Sequence, residues 1–168
     1  ADSLGIQSFL MKTYKKESTY IAYGAHLFNT PNENILQQYQ VEKGNYNMVM
    51  ARFEPENNID MVLEGVALDK ENQTPILVIG KHETKYGAYL KNKFKDFSNI
   101  RFLGGVYNLE HLNNLRYFSN LYFHGHSVGG TNPSLLEAMA SQSLVIAHNN
   151  DFNKGVLKEN AYYFSNPT

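Results

Sequence analysis

From residue 46 to the end of the 168-residue chain, short apolar runs alternate with segments of helical period, and no other feature narrows the fold as much. Tyr46–Ala51, Pro75–Gly80, Ile100–Gly104, Leu121–Phe123, Leu144–Ala147 and Ala161–Phe164 read as strands. Between them, Ile59, Val62, Leu63 and Val66 mark one helical face, and Tyr86, Tyr89, Leu90 and Phe94 another. Leu109–Phe118, Leu135–Ala140 and Asn153–Leu157 read as further helices. The run Ile76–Ile79 is apolar without interruption, as a strand must be when both faces of its sheet are covered. The alternation predicts an α/β domain: a doubly wound parallel sheet with helices on both faces and right-handed crossovers. Ligands of such sheets bind beyond the carboxyl ends of the strands, so the loops after Ala51, Gly80, Gly104 and Phe123 share the predicted functional edge.

The first 45 residues follow another pattern. Asp2 or Ser3 can cap a helix carrying Ile6, Phe9, Leu10 and Tyr14, with Lys12, Lys15 and Lys16 facing water. Ser18–Tyr23 is β-branched and aromatic and predicts a strand ending at Gly24. Residues 25–45 read as a linker, with a helical turn around Ile35, Leu36 and Tyr39. The expected division is 1–45, the end of a preceding domain and a linker, and 46–168, the α/β domain.

Composition removes several classes of function. With no cysteine, disulfide frameworks and Cys-based zinc sites are excluded. A formal net charge of −1 without a basic stripe argues against nucleic-acid binding. No apolar run reaches the ~20 residues of a transmembrane helix. The expected location is the cytoplasm, with peripheral association at the inner face of the membrane open to the full-length protein.

The segment His124–Ala140, HGHSVGGTNPSLLEAMA, carries the chemistry. A strand runs into Gly129-Gly130, then Thr131-Asn132-Pro133-Ser134, and a helix opens. The first amides of a helix lack internal partners and sit at the positive end of its dipole, so a helix start behind a glycine turn suits a phosphate. Pro133 fits the first turn and makes Asn132 the N-cap. Thr131 and Ser134 add hydroxyl donors. Glu137 has two readings from spacing alone: a capping-box partner of Ser134, or a carboxylate for the vicinal hydroxyls of a ribose. Arg52, directly after a strand, places a planar cation on the ligand edge, and Lys81 has a similar but weaker position. His124 and His126 alternate along a strand and its extension. They could face one ligand or pack for structure; a metal-dependent hydrolase would need a further ligand that the neighbouring sequence does not supply. Gly129-Gly130 fits neither the Walker motif nor the dinucleotide fingerprint.

SVGGTNPSLLEAMASQSLVIAHN resembles the nucleotide-sugar site of the family 4, or group 1, glycosyltransferases, retaining enzymes with two facing Rossmann-like domains (the GT-B fold). MARFEPENNIDMVLEGV is similar to the opening of their second domain, where Gly-Arg-Leu-x-x-Glu-Lys-Gly is usual. NIRFLGGVYNLEHLNNLRYFSNLYFH and FNKGVLKENAYYF resemble later stretches of it, and residues 1–24 the end of the first domain. HGHSVGGTNPSLLEAM is nearest to rhamnosyltransferase-like bacterial members.

The resemblance implies a Rossmann-like donor domain that binds a nucleoside diphosphate sugar of UDP or dTDP type, with no cofactor and no metal. The sugar would pass to an acceptor hydroxyl in bacterial polysaccharide or cell-surface glycan synthesis, the acceptor being held by an N-terminal domain. Glu137 matches the second Glu of the family's Glu-x7-Glu motif, which binds ribose. Gly130–Ser134 match the loop whose amides hold the diphosphate, and Arg52 a diphosphate contact. Gly104 and Val106 match the wall around the base. The first Glu of the motif falls at Gly129, where His126 is a substitute candidate for catalysis. The usual Lys falls at Asn57, and the common Arg-Glu pair appears as Lys154-Gly155. These departures support an alternative, a non-catalytic nucleotide-binding or interaction module derived from the same fold.

Overall fold

The computed structural model describes residues 1–168. Six strands form one parallel sheet: β1 (Asn47–Met50), β2 (Ile76–Ile79), β3 (Ile100–Gly104), β4 (Leu121–His124), β5 (Val145–His148) and β6 (Tyr162–Phe164). Their spatial order is β3-β2-β1-β4-β5-β6. The helices of this domain are α2 (Ile59–Leu68), α3 (Lys85–Lys93), α4 (Leu109–Phe118), α5 (Pro133–Ala140) and α6 (Asp151–Leu157). The α/β alternation read from the sequence is therefore the architecture, and the strand order is that of a Rossmann-like doubly wound sheet.

Alternation along β2 explains why both faces need covering. Ile76 and Val78 point into a layer with Ile59, Leu63, Leu90 and Ile100 from α2, α3 and β3. Leu77 and Ile79 point the other way, among Leu112, Leu115, Leu135 and Ala138 from α4 and α5. All four β2 side chains are buried, each contributing about 2 kcal/mol of apolar transfer.

The order reverses between β1 and β4. Met48 pairs with Leu77 on one side and Tyr122 on the other. The chain leaves β1 toward α2 on one face, and leaves β4 toward α5 on the opposite face. A crevice opens between those two exits.

Residues 1–45 depart from expectation. Helix α1 (Leu4–Tyr14) forms, capped by Ser3, whose hydroxyl accepts from the Ile6 amide. None of its residues is buried, so Phe9 and Tyr14 lie in the open although their spacing predicts a packed face. Ser18–Tyr23 forms no strand; Ile21 is 72 % exposed. A strand needs a partner ladder, and neither edge of the sheet, β3 or β6, receives this segment. Its backbone bonds run instead to Ala1: the Ala1 ammonium donates to the Thr19 carbonyl, and the Ile21 amide donates to the Ala1 carbonyl. The turn at Ile35–Tyr39 is a 3-10 helix, Glu33–Tyr39, with Leu36 buried in the core.

Candidate functional site

The crevice holds a cleft of about 720 Å³. Its walls are the exits of β1 (Met50–Glu54) and β2 (Ile79–Lys81), the loop after β3 (Gly105–Tyr107), His126, and the start of α5 (Asn132–Ser134). Two glycines allow these loops to nest. A Cβ on Gly80 would lie 2.1 Å from the Ala51 carbonyl oxygen, and one on Gly125 2.2 Å from that of Asn57. At Gly80 and Ala51 the cleft lining is thus main chain against main chain.

Asn132 caps α5 as its position before Pro133 predicts. Its Oδ1 accepts from the Ser134 amide at 3.0 Å and from the Ser134 hydroxyl at 2.9 Å. Pro133 has no N–H, and the Leu135 and Leu136 amides donate to the Asn132 carbonyl, so what α5 directs at the cleft is the positive end of its dipole. Arg52 stands opposite; it is exposed, and none of the ion pairs in the structure engages it. A guanidinium outside any ion pair and the positive end of a helix dipole facing one cleft suit an anion.

His126 lines the same cleft. Its ring stacks on that of His124, centroids 4.4 Å apart and 14° from parallel. His124 is fully buried, with neither ring nitrogen partnered. Burial holds His124 well below the usual imidazole range. Burial also pushes His126 down to about 4; the nearby Arg52 cation adds to that shift and Glu56 opposes it. Both rings are therefore neutral at pH 7; His126 Nδ1 is buried without a partner, so the ring has only Nε2 to offer the cleft. No group of three or more His, Cys, Asp or Glu side chains is placed to hold a metal.

The cleft gathers Arg52, Val106, His126, Asn132, Pro133 and Ser134 from the sequence candidates. The others lie elsewhere. Asn57 is buried, 3 % exposed, and donates to the Arg52 carbonyl at 2.8 Å. It replaces an expected ligand contact with a peg that fixes the Arg52 loop, because its short amide reaches backbone where a lysine would reach out. Gly104 sits at the end of β3 with φ +79, beside the cleft wall and outside its lining. Gly129, Gly130 and Thr131 are also off the lining. Thr131 is bonded through its hydroxyl to the Asp2 carbonyl at 2.8 Å, and the Asp2 carboxylate packs on Gly130. The N-terminal segment thus packs on Gly130 and Thr131 and leaves Gly129 exposed.

Glu137 takes no part in a capping box. Its Oε2 accepts from Arg116 Nη2 at 2.5 Å. Arg116, on α4, is fully buried and is absent from the sequence candidates. Its signal was available: Leu112, Leu115 and residue 116 share one helical face, so the period buries an arginine there. Thr84 and Tyr107 are further cleft residues without a sequence signal of their own.

The model of the family described as "Glycosyl transferases group 1" matches residues 31–167. The chain belongs to the group 1 glycosyltransferases. No curated protein matches it. Among solved structures, the group 1 chain resembles HepE of Anabaena in complex with UDP, with a TM-score of 0.85 at 17% identity over 99% of this chain and 49% of that one. A glycosyltransferase from Rickettsia africae gives 0.81 at 16% identity, again over 99% and 49%. The C-terminal domain of the group 1 protein LpcC from Francisella tularensis gives 0.65 at 18% identity, over 83% of this chain and 76% of that one. The fold is that of the C-terminal half of GT-B structures, and the chain spans about half the length of the HepE and Rickettsia africae chains. No helix is long and apolar enough to cross a membrane.

Proposed function

We propose that this domain binds the nucleoside diphosphate sugar donor of a retaining glycosyltransferase. The observation that carries the reading is the convergence of Arg52 and the start of α5 on one cleft at the β1–β4 switch point. A diphosphate placed there would lie between a guanidinium and the positive end of a helix. These fixed groups would stabilise the charge that develops on the diphosphate as the sugar leaves. Neutral His126 would donate a hydrogen bond to the sugar or the leaving phosphate, and Gly105–Tyr107 would wall the base. Among the similar structures, HepE is described in complex with UDP and with UDP-glucose, which favours a uracil donor.

Transfer would need a second domain to hold the acceptor. Residues 1–24 support this. Helix α1 buries nothing, and Ile21 and Tyr23 face solvent, as expected for a segment whose packing partners belong to another domain. In this reading residues 1–45 close an N-terminal domain and link it to the donor domain 46–168. The full-length enzyme would act in bacterial surface-glycan synthesis, with a rhamnosyl donor the favoured sugar and the cytoplasmic membrane face its place of work.

Titration calorimetry with UDP and dTDP tests the reading. The chain should bind UDP weakly, and Arg52→Ala should reduce affinity about tenfold, the value of one charge-assisted hydrogen bond at an exposed site. Unchanged affinity in that variant would remove the assigned site. The second reading, a non-catalytic module, is favoured by Gly129, which puts no carboxylate at the motif's first position. Sugar transfer by the full-length protein would dismiss it.

A further inference from the structure

His126 is the one imidazole that lines the cleft, and its backbone is held from both sides. The Gly125 carbonyl accepts from Asn58 Nδ2 at 2.8 Å. The Ser127 amide and hydroxyl both donate to the Glu56 carbonyl, at 3.0 and 2.8 Å. These three bonds tie the loop after β4 to the segment between β1 and α2. Helix α6 holds the other side. The His126 carbonyl accepts from Asn150 Nδ2 and from Asn153 Nδ2, each at 3.0 Å. A carbonyl oxygen has two lone pairs, so this one is saturated.

Asn153 is a costly residue to bury. It is 4% exposed, where a leucine would pack without a polar group to desolvate. Both hydrogens of its amide go to carbonyls: that of His126 beyond β4 and, at 2.9 Å, that of His148 at the end of β5. Asn150 N-caps α6, its Oδ1 accepting from the Asn153 amide at 3.0 Å. Its Nδ2 also reaches the His148 carbonyl at 3.2 Å and lies 3.1 Å from His148 Nδ1. Capping explains only the Asn150 oxygen, which a serine would supply as well. The two Nδ2 groups do something else: they bracket the ends of two neighbouring strands. The bracket fixes the His126 peptide, and the stack on His124 fixes the ring. With Nδ1 buried, the pair sets where Nε2 stands in the cleft.

We propose that Asn150 and Asn153 are positioning residues that aim His126 Nε2 at the bound donor. The inference rests on the donor-site reading and extends it to the start of α6, from which no residue lines the cleft. Both asparagines act through the His126 backbone and neither touches the ligand.

The test is calorimetry of UDP-glucose against the chain, Asn150→Ser, Asn153→Ser, His126→Ala and the two doubles with His126→Ala, with circular dichroism to confirm folding. His126→Ala should weaken binding about tenfold, the value of one hydrogen bond to a charged group. Each asparagine variant should weaken binding at least about threefold, and by less than about 1.5-fold once His126 is gone. A merely structural role would weaken binding by the same factor in both backgrounds, and that result overturns the inference. Should Asn153→Ser fail to fold, Asn150→Ser decides, because it keeps the cap oxygen and loses only the amide. Proton NMR of the His126 ring, assigned by its loss in His126→Ala, gives a readout without ligand. The ring titrates at about 4 in the wild type. In a folded asparagine variant it should titrate at least about one unit higher as the ring gains water. An unmoved midpoint overturns the inference. Failure of the wild-type chain to bind UDP-glucose overturns the donor-site reading instead, and the NMR titration still decides the positioning.

Discussion

The stacked pair His124–His126 makes acid stability a quantitative test of the site's geometry. In the folded chain His126 is pushed down to about 4 by burial, with Arg52 adding to the shift and Glu56 opposing it. In the unfolded chain it returns to about 6.5. The unfolded state therefore binds the proton first, and stability is full above pH 6.5 and falls as the pH drops toward 4. Between pH 7 and pH 5 the loss from His126 alone is about 2 kcal/mol by proton linkage. His124, also held well below the usual imidazole range by burial and by its stacked neighbour, loses stability in the same direction as the pH falls. Urea denaturation at half-unit steps from pH 7.5 to pH 5 measures the slope. His126→Gln should remove about 2 kcal/mol of the pH-dependent loss while retaining a cleft-facing donor. A wild-type stability flat across that range, or a variant with an unaltered slope, would refute the burial of the pair.

Three further outcomes follow from the fold. Gly80→Ala sets a methyl group 2.1 Å from the Ala51 carbonyl at a φ of +151, so it should lower stability by about 2 kcal/mol or more in a urea titration and weaken nucleotide binding. Asn57→Ala removes one of the two hydrogen bonds on the Arg52 carbonyl, which keeps the Glu54 amide, and should cost about 1 kcal/mol and reduce UDP affinity without any direct contact being lost. Limited proteolysis should cut first within residues 15–24, where backbone and side chains are exposed, and leave the sheet from residue 46 onward intact as a mass-spectrometric fragment.

The sheet was legible because burial on both faces leaves a strong mark on composition. Ile76–Ile79 and Val145–Ala147 could hardly be anything but strands, and Ile59, Val62 and Leu63 hardly anything but a helix face. Ser18–Tyr23 carries the same local signal and forms no strand, since propensity does not supply the neighbouring ladder that a strand requires. The anion end of α5 was legible through Asn132 and Pro133, whose roles are local. Contacts across the fold were not. Asn57 turns inward to a carbonyl five residues away, Gly130 and Thr131 lie against Asp2, and Glu137 is claimed by Arg116 on another helix. In each case a partner remote in sequence or a reversal of side-chain direction decides the role. Spacing alone cannot distinguish a carboxylate that caps its own helix from one tied to a neighbouring helix.

The two walls of the crevice meet only because β1 lies beside β4, segments separated by most of the domain's length. Pairings of such long span are entropically late to close during folding. A molecule lodged across that seam would act as a clasp between the two halves of the sheet, and occupancy at a hundred times the dissociation constant would add about 2.7 kcal/mol to their cohesion. Scarcity of its own ligand would therefore leave the protein not merely idle but shorter-lived.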